Sequence, residues 1–512
     1  MSLYDEAILR QLLEKAPRDR NADGLLSYRW KGASFLSPTL HNDLGPCGLA
    51  WSSVSRPKSP ETASAVEPNP RGSIFDAAGP GRIGYMGDRI SRRQDCEPRT
   101  MVQKRHFFHV PGFDPHDRAT QYRRFVREAA RFAATWNVRA QVSAVHEDGA
   151  ADGHWTVTAQ APDWRVLASF ELFDWSDIVR AELKLSYGRQ LGKGMAAFAD
   201  LIRSGTAWRY FTANWRYGMF FLVPFLSVFL FAAIAIAAAG YVATTVAAAL
   251  MSTFWGIVAA APAAALVFSV LMRWPGDRWR VTQGLADWIF ARDYMRGRHS
   301  NMEARVEAFV ARIVACARRA DVDEIVVAGH SLGATVAVDL LARAFDRDPE
   351  LGRHGPKLCL LTIGATIPKI ALHPKGGWLR ERTRRLAAEL SLAWAEYQAR
   401  HDIISFHKFD PVKLARFDSA NEPGRPVIRR VQIHQMLSAP TLRRFRFNYM
   451  RLHYQFVMAN ERRTVYDYFM MMCGPAPFAR TIAQPNGPDD LYAADGSLRD
   501  VVEHDVVESN LG

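Results

Sequence analysis

The sequence predicts an α/β fold, in which a mostly parallel β-sheet carries helices on both faces and is interrupted by a two-helix transmembrane hairpin. Three observations support this. Predicted strands and amphipathic helices alternate through residues 302–363, a pattern typical of a parallel sheet covered on both sides. Residues 217–272 contain no Asp, Glu, Lys, Arg or His. A serine between two glycines, in Gly329-His330-Ser331-Leu332-Gly333, separates a predicted strand from a predicted helix.

The composition is that of a globular chain with one local apolar block. The 512 residues are 48% hydrophobic, and the mean hydropathy is −0.14. These values exclude a largely disordered or fibrous chain and argue against a polytopic membrane protein. The net charge of +13 is compatible with nucleic acid, an anionic membrane face or loops beside a membrane. We attribute it to arginines that flank a membrane, and we expect no nucleic-acid partner.

The cysteine count and the absence of metal motifs predict a chain without metal or cofactor. Five cysteines are present, and no two have CxxC spacing, so a disulfide framework or a zinc cluster is not expected. The sequence has no HExxH, EF-hand or phosphate-loop motif. The cysteines are Cys47, Cys96, Cys316, Cys359 and Cys473.

Residues 1–100 are predicted to be a poorly structured leader. The stretch Arg56–Ser73 is rich in Pro, Ser and charge, and it offers too little apolar surface to offset its ordering entropy. Asp5, Glu6 and Arg10 interrupt the first thirteen residues, so we expect no cleavable secretory signal.

Residues 101–216 are predicted to form the first part of the α/β domain. Residues 105–110 (RHFFHV) indicate a buried strand, which the turn Pro111–Pro115 ends. An amphipathic helix follows over 116–136. Further strands are expected over 138–145, 155–161 and 164–172.

The uncharged block 217–272 is predicted to be a transmembrane hairpin. One crossing needs about 20 apolar residues, so Gly218–Gly240 and Met251–Met272 each suffice. Both flanks are rich in Arg and Trp, and the first also contains Tyr210 and Tyr217, as is typical of the cytoplasmic interface. A hairpin returns both flanks to one side, which predicts an integral membrane protein in which residues 1–216 and 273–512 are both cytoplasmic. The alternative is an unusually apolar buried hairpin.

Residues 273–480 are predicted to complete the α/β domain, and 481–512 to form a C-terminal tail. A helix is expected over 302–319, a strand over 324–328 and a helix over 332–345. The next strand is expected over 357–363.

The strand–turn–helix context of Ser331 is that of a nucleophile elbow. The turn strains the serine backbone and holds the hydroxyl clear of the sheet. Gly329 and Gly333 allow the strand and helix to approach closely. The helix N-terminus adds positive potential where an oxyanion would form.

On this motif the chain resembles the α/β-hydrolase superfamily, whose lipase and esterase branches commonly carry GHSLG. The resemblance covers about residues 104–475. It implies catalysis by Ser331 and an oxyanion hole formed by the backbone N–H of Leu332 and a donor from the loop after an earlier strand. Here that loop is 110–113, in which Pro111 has no N–H. Phe113 is the favoured donor and Gly112 the alternative.

The resemblance also implies a chain order of serine, acid and histidine. The acid is expected just after a strand. Asp402 follows the predicted strand 392–399 and is the favoured candidate. Asp410 is the alternative, which has the competing interpretation of a turn residue before Pro411. Glu396 lies in the middle of the strand and is less favoured.

The base is expected on a loop or helix start after the last strand. His453 fits that position and is the favoured candidate. His434 is the alternative, but it lies within 427–436, which itself looks like the last strand. His407 is too close to Asp402 in sequence for the usual topology.

Residues 423–460 carry seven arginines and no acidic residue. A surface facing anionic lipid heads is ranked above a nucleic-acid surface because the hairpin already tethers the domain. A plain solvated basic face is the third interpretation.

These features predict a membrane-tethered serine hydrolase that cleaves a lipid or another acyl ester through an acyl-enzyme, with membrane lipids as its other partner. A thioesterase or acyltransferase that uses the same triad is an alternative. A catalytically silent membrane scaffold with an α/β-hydrolase fold is another. The sequence specifies no oligomeric state.

Overall fold

The computed structural model describes residues 101–146, 153–417 and 425–499, together with the backbone of three short strands within residues 18–36. The chain divides into two compact units, residues 1–92 and 93–512. In the first unit β1, β2 and β3 form an antiparallel sheet. Apart from these strands, the predicted leader 1–100 lies outside the described residues.

Thirteen strands are described in the two units. They are β1 (Arg18–Arg20), β2 (Leu26–Trp30), β3 (Ala33–Leu36), β4 (Lys104–Val110), β5 (Arg139–Val142), β6 (His154–Gln160), β7 (Arg165–Leu172), β8 (Glu324–His330), β9 (Lys357–Ile363), β10 (Leu392–Ala399), β11 (Phe409–Asp410), β12 (Ala415–Arg416) and β13 (Val427–Val431).

The described helices all belong to the second unit. The first nine are α1 (Arg118–Trp136), α2 (Ser176–Leu183), α3 (Tyr187–Arg203), α4 (Thr206–Ala213), α5 (Trp215–Leu250), α6 (Thr253–Arg273), α7 (Pro275–Arg278), α8 (Val281–Met295) and α9 (Ser300–Arg319). The others are α10 (Leu332–Arg347), α11 (Ile367–Ala371), α12 (Gly377–Ala388), α13 (Ile433–Met436), α14 (Ala439–Phe445), α15 (Tyr449–His453), α16 (Tyr468–Cys473), α17 (Phe478–Ala483) and α18 (Pro488–Leu491).

The second unit is built on one eight-stranded sheet with the order β13-β10-β9-β8-β4-β7-β6-β5. The strands from β13 to β7 run parallel, and β6 and β5 are antiparallel to their neighbours. The predicted α/β class with a mostly parallel sheet is therefore confirmed. The loops after the parallel strands meet at one edge. We call this edge the carboxyl edge; it comprises residues 111–115, 331, 364–366, 400–408 and 432–438.

Both faces of the sheet are buried by hydrophobic clusters. Because neighbouring residues of a strand point to opposite faces, adjacent side chains belong to different clusters. Phe107 belongs to a cluster on one face, where α1 and α16 pack. Phe108 belongs to the cluster on the other face, which includes residues of α8, α9, α10 and α12. Strand β8 is buried along its whole length, as expected for a central parallel strand.

A buried ion pair connects the start of the sheet to the C-terminal segment. Arg105 is 1% exposed and donates from Nε and Nη2 to Glu324 Oε2, at 3.0 and 2.7 Å. The same guanidinium donates to the carbonyls of Met472, Gly474 and Ala476. Its donors are thereby satisfied inside the protein, and residues 472–476 are held against β4.

The apolar block forms two long antiparallel helices, α5 and α6. Each is long and apolar enough to cross a membrane, with mean hydropathies of 2.6 and 2.1 over the best windows. Only 6% of the α6 window is buried, which differs from the fully buried hairpin considered as the alternative. Asn214 caps α5 by accepting the N–H of Arg216 at 3.0 Å. The helix therefore begins at Trp215, two residues before the uncharged block 217–272.

Two sequence-based boundaries need correction. The last parallel strand ends at Val431, and the expected continuation to Met436 is wrong because Ile433–Met436 turns into the short helix α13. Residues 481–499, which the sequence assigns to a tail, include α18 and contribute the buried Leu491 and Tyr492 to the core. The rest of that tail lies outside the described residues.

We predict that Arg105→Leu lowers the free energy of unfolding by about 3–5 kcal/mol, because it leaves Glu324 buried without its charged partner. The matched control is Arg318→Leu, which removes an exposed ion pair to Asp348 at 3.0 Å and should cost less than about 1 kcal/mol. Urea unfolding of the detergent-solubilised chain measures both. Equal losses in the two variants would contradict the structural role given to Arg105.

Candidate active site

Ser331 lies at the carboxyl edge between β8 and α10, in a strained conformation. Its backbone has φ 57° and ψ −124°, a region that non-glycine residues occupy at a cost of about 1–3 kcal/mol. Its N–H donates to the Ile363 carbonyl at 3.1 Å, and its carbonyl accepts the N–H groups of Ala334 and Thr366 at 3.1 and 3.2 Å. The surrounding backbone thus holds the serine in this turn.

The two glycines of the motif are required by close backbone contacts. A Cβ on Gly329 would lie 2.5 Å from the Cα of Ala334. A Cβ on Gly333 would lie 2.2 Å from the carbonyl oxygen of Val110, at the end of β4. Helix α10 therefore starts in direct contact with both β8 and β4.

The loop after β4 approaches the serine as well. A Cβ on Gly112 would lie 2.8 Å from Ser331 Cβ and 3.3 Å from its Oγ. The Trp175 indole N–H donates to the Pro111 carbonyl at 3.0 Å, and the Phe113 ring packs against Trp175 at 6.1 Å between centroids. The structure thus brings Gly112 to the side of Ser331; Phe113 follows it in the same loop, and Leu332 begins α10.

Asp402 and His453 form a buried hydrogen-bonded pair. His453 Nδ1 lies 2.8 Å from Asp402 Oδ2, and the residues are 2% and 1% exposed. Asp402 Oδ1 accepts the Ile404 N–H at 3.0 Å. With Nδ1–H donated to the carboxylate, Nε2 carries the ring's lone pair. That Nε2 is buried and has no hydrogen-bond partner among the described residues.

Gly364, the residue after β9, makes room for this pair. Its φ is +51°, and a Cβ there would lie 3.2 Å from both Asp402 Oδ2 and His453 Cε1. The Ile363 carbonyl next to it accepts the Ser331 N–H. The turn after β9 therefore contacts the serine on one side and the acid–histidine pair on the other.

His330 connects the elbow to the histidine. Its Nε2 lies 3.1 Å from the His453 carbonyl oxygen, and the two ring centroids are 4.5 Å apart. Burial, and then the nearby His453 and His109, hold the pKa of His330 well below its usual value. His330 is therefore a neutral donor from Nε2, which positions His453 through its backbone. The sequence motif specifies no role at this position, so this link could not be predicted.

The alternative base and the alternative acid make contacts outside the Asp402–His453 pair. His434 is an exposed residue of α13 whose ring contacts His401 at 5.6 Å between centroids. Asp410 accepts the N–H groups of Val412 and Lys413 at 2.8 and 3.0 Å, which is the turn role considered for it.

Glu396 has its own buried partners. Its Oε1 accepts Gln398 Nε2 at 2.6 Å, and its Oε2 lies 3.1 Å from Thr362 Oγ1. Burial raises the pKa of Glu396 to about 7, although its hydrogen bonds to Gln398 and Thr362 act in the opposite direction. It does not contact His453 through these oxygens.

A second polar cluster lies beside the pair and was not predicted from sequence. Asp114, in the loop after β4, is hydrogen-bonded to His116, and Arg124 lies 3.7 Å away. Burial alone would raise the pKa of Asp114, but His116 and Arg124 outweigh it and lower the pKa to about 2. Arg124 also stacks at 5.1 Å over the ring of Tyr454, whose centroid is 5.5 Å from that of His330.

A cavity of about 750 Å³ lies away from these residues, among α8, α10 and α12. Its lining includes Arg343, Arg382 and Trp378, and Ser331, Asp402 and His453 are not part of it. Among the residues that the structure describes, no group of three His, Cys, Asp or Glu side chains is placed to hold a metal ion.

The chain matches no protein-family model, no curated protein and no solved structure. A functional assignment therefore rests on the geometry of the site.

We predict that Gly333→Ala costs about 1–3 kcal/mol or more, because the new Cβ would overlap the Val110 carbonyl and force backbone shifts. Gly192→Ala is the matched control, since a Cβ on that helical glycine would have no atom within 4 Å. It should stabilise the chain by about 0.5–1 kcal/mol. Thermal unfolding in detergent measures both; a neutral Gly333→Ala would contradict the close contact.

The shifted pKa of Glu396 predicts a pH-dependent stability. From about pH 4.5 to about pH 7 the unfolded chain releases this proton while the folded chain keeps it. The free energy of unfolding should therefore fall with rising pH, by at most about 3 kcal/mol from this group. Glu396→Gln keeps the neutral hydrogen bonds and should remove that contribution. Identical slopes of stability against pH in the two proteins would contradict the shift.

Proposed function

We propose that the chain is a membrane-tethered serine hydrolase with an α/β-hydrolase fold, which cleaves an acyl ester through an acyl-enzyme intermediate. Ser331 is the nucleophile, His453 the base and Asp402 the acid that orients it. The observation that carries the proposal is the buried Asp402–His453 pair, with an unpartnered Nε2 among the described residues, at the same sheet edge as the strained Ser331.

In the proposed reaction the Ser331 hydroxyl attacks the acyl carbonyl while His453 Nε2 takes its proton. A serine hydroxyl is a weak nucleophile at neutral pH and needs such a base. Asp402, which accepts from Nδ1 at 2.8 Å, stabilises the imidazolium that forms and holds the required tautomer. His330 remains neutral and does not add a competing positive charge.

The tetrahedral intermediate carries its negative charge on the former carbonyl oxygen. The backbone N–H groups of Leu332 and Phe113 are the proposed donors to this oxyanion, and the N-terminus of α10 adds positive potential. Gly112 supports this assignment, because its contact with Ser331 keeps the loop after β4 within reach of the nucleophile. Gly112 itself is the alternative donor.

The intermediate collapses when His453 delivers the proton to the leaving alcohol, which leaves the acyl group on Ser331. Water then attacks the acyl-enzyme with His453 as base, and the released carboxylic acid restores the free serine. Thioester cleavage and acyl transfer share the first half of this sequence, and they differ in the leaving group and in the final acceptor.

Helices α5 and α6 are the proposed membrane anchor. They pair side by side, and their apolar lengths suit two crossings. Arg216 at one end and Arg273 at the other favour a cytoplasmic location for the catalytic domain under the positive-inside rule. Membrane lipids are then the immediate surroundings of the enzyme.

We predict that a fluorophosphonate probe labels the wild-type chain in membrane fractions and does not label Ser331→Ala, which lacks the nucleophile. His453→Ala and Asp402→Asn should lower ester turnover by about 10⁴-fold or more, because they remove the base and its correct tautomer. Gel fluorescence and hydrolysis of a chromogenic ester measure the two effects.

His434→Ala is the matched control, because it removes an exposed histidine outside the pair, and it should keep wild-type labelling and turnover. Loss of activity in His434→Ala with normal activity in His453→Ala would reverse the assignment of the base. A folded wild-type chain without any serine labelling would favour the catalytically silent scaffold.

A further inference from the structure

Helix α5 is longer than a bilayer requires. Its 36 residues span about 54 Å, whereas the hydrocarbon core is about 30 Å thick. Its partner α6 has 21 residues, about 31 Å, which suits one crossing. Just after α6, the Trp279 ring stacks on Phe231 at 5.7 Å between centroids. Helix α6 thus ends level with Phe231, and residues 215–230 of α5 extend past the end of α6 on the side of the catalytic domain.

Residues 215–230 have one covered face and one exposed face. On the covered face Phe221 packs against Trp288 at 5.0 Å and Tyr217 against Phe406 at 4.0 Å between ring centroids. The exposed face is a stripe at helical spacing, which we call the outer stripe. It consists of Trp215, Met219, Val223, Leu226 and Leu230, which are 45–60% exposed. A contiguous apolar stripe of this kind marks a surface that another apolar phase covers.

The same segment reaches the carboxyl edge that holds the candidate triad. Arg216 Nη1 donates to the Arg400 carbonyl at 2.9 Å, two residues before Asp402. In α8, the helix of the catalytic domain that follows the hairpin and α7, Gln283 Nε2 lies 3.5 Å from the Phe113 carbonyl. The start of α5 and the helix α8 after the hairpin therefore contact loops of the carboxyl edge, one close to Asp402 and one at Phe113. The carboxyl edge is therefore the part of the catalytic domain that lies next to the hairpin.

Exposed tryptophans lie in the segments that flank α5 and α6. Trp208, Trp274 and Trp279 are 73%, 81% and 53% exposed, and tryptophan is the side chain most typical of the membrane–water interface. The segment that leads to His453 adds the exposed Arg446 and Phe447, whose guanidinium and ring stack at 4.6 Å. Exposed basic and aromatic side chains of this kind are typical of surfaces that meet lipid headgroups.

We propose that the bilayer covers the outer stripe and that Ser331 receives its acyl substrate from the bilayer. The continuity of the outer stripe with the membrane-crossing part of the same helix favours lipid over a second copy as its cover. The substrate is then a long-chain acyl ester resident in the membrane. Its ester C–O bond breaks, and water supplies the hydroxyl of the released acid and the proton of the alcohol. The substrate claim rests on the proposed function, and the position of the outer stripe does not.

The activity test uses the full chain in phosphatidylcholine vesicles that contain a long-chain acyl ester, with a short water-soluble ester assayed in parallel. Leu226→Glu should lower the ratio of vesicle turnover to soluble-ester turnover by at least about tenfold, since a carboxylate there opposes insertion among lipids. The matched control is Leu390→Glu. Leu390 is 82% exposed and precedes β10 at the opposite edge of the sheet, so its ratio should stay at the wild-type value. An unchanged ratio in Leu226→Glu would overturn the substrate claim.

The position test does not depend on activity. An environment-sensitive fluorophore is attached to Leu226→Cys, or to Leu390→Cys as the control, in a chain with Cys47→Ser and Cys96→Ser. The remaining cysteines, Cys316, Cys359 and Cys473, are buried. Quenching of the Leu226→Cys label by lipid-attached quenchers, and of the Leu390→Cys label by aqueous iodide, supports the proposal.

Quenching of the Leu226→Cys label by iodide, or its protection from both quenchers together with cross-linking to a second copy, would overturn the position of the outer stripe. If the fluorophosphonate probe does not label Ser331 while lipid-attached quenchers quench the Leu226→Cys label, the proposed function and the substrate claim fail. The membrane position of the outer stripe is supported in that case.

Discussion

The positive φ of Ser331 is the constraint on which the candidate site depends. A serine at φ 57° and ψ −124° is strained by about 1–3 kcal/mol, and only the surrounding backbone can hold it there. Hydrogen bonds between the Ser331 backbone and Ile363, Ala334 and Thr366 do so. The close contacts of Gly329 and Gly333 allow β4, β8 and α10 to converge at the turn. The order of the parallel strands in the sheet therefore fixes where the serine hydroxyl lies.

The same turn is connected to the Asp402–His453 pair through His330 and Gly364. His330, which immediately precedes the serine, donates to the backbone of His453, and His453 in turn is held by Asp402. Gly364 lets this pair approach the turn after β9. A continuous set of contacts thus runs from the turn at Ser331 to Asp402. Arg216 at the start of the hairpin inserted between β7 and β8, and Gln283 in a helix after it, contact the neighbouring loops.

Much of this arrangement can be predicted from the sequence because short segments of the chain carry patterns typical of it. The GHSLG turn between an apolar strand and a helix predicts the elbow, and the uncharged block predicts the two long helices. The preference for Asp402 and His453 depends on a family order, and the structure places them in one hydrogen-bonded pair. The start of α5 at Trp215 does not follow from the charge pattern, because it depends on the Asn214 cap.

Other features depend on contacts between residues far apart in sequence and could not be predicted. The burial of Tyr492 and the ion pair of Arg105 with Glu324 are examples. The role of His330 is another, because the motif allows any residue there and the hydrogen bond crosses 123 positions. The end of β13 at Val431 could not be predicted, because the apolar pattern of the strand continues into α13, where the chain turns.

Whether Ser331 carries the acyl group during turnover decides between the proposed mechanism and a catalytically silent scaffold, and rapid acid quench with a chromogenic ester measures it. The mechanism predicts a burst of alcohol release close to one equivalent of enzyme when deacylation is slow. It also predicts the acyl mass on the peptide that contains Ser331. Alcohol release without any acylated peptide, or an acyl mass on a different residue, would contradict it.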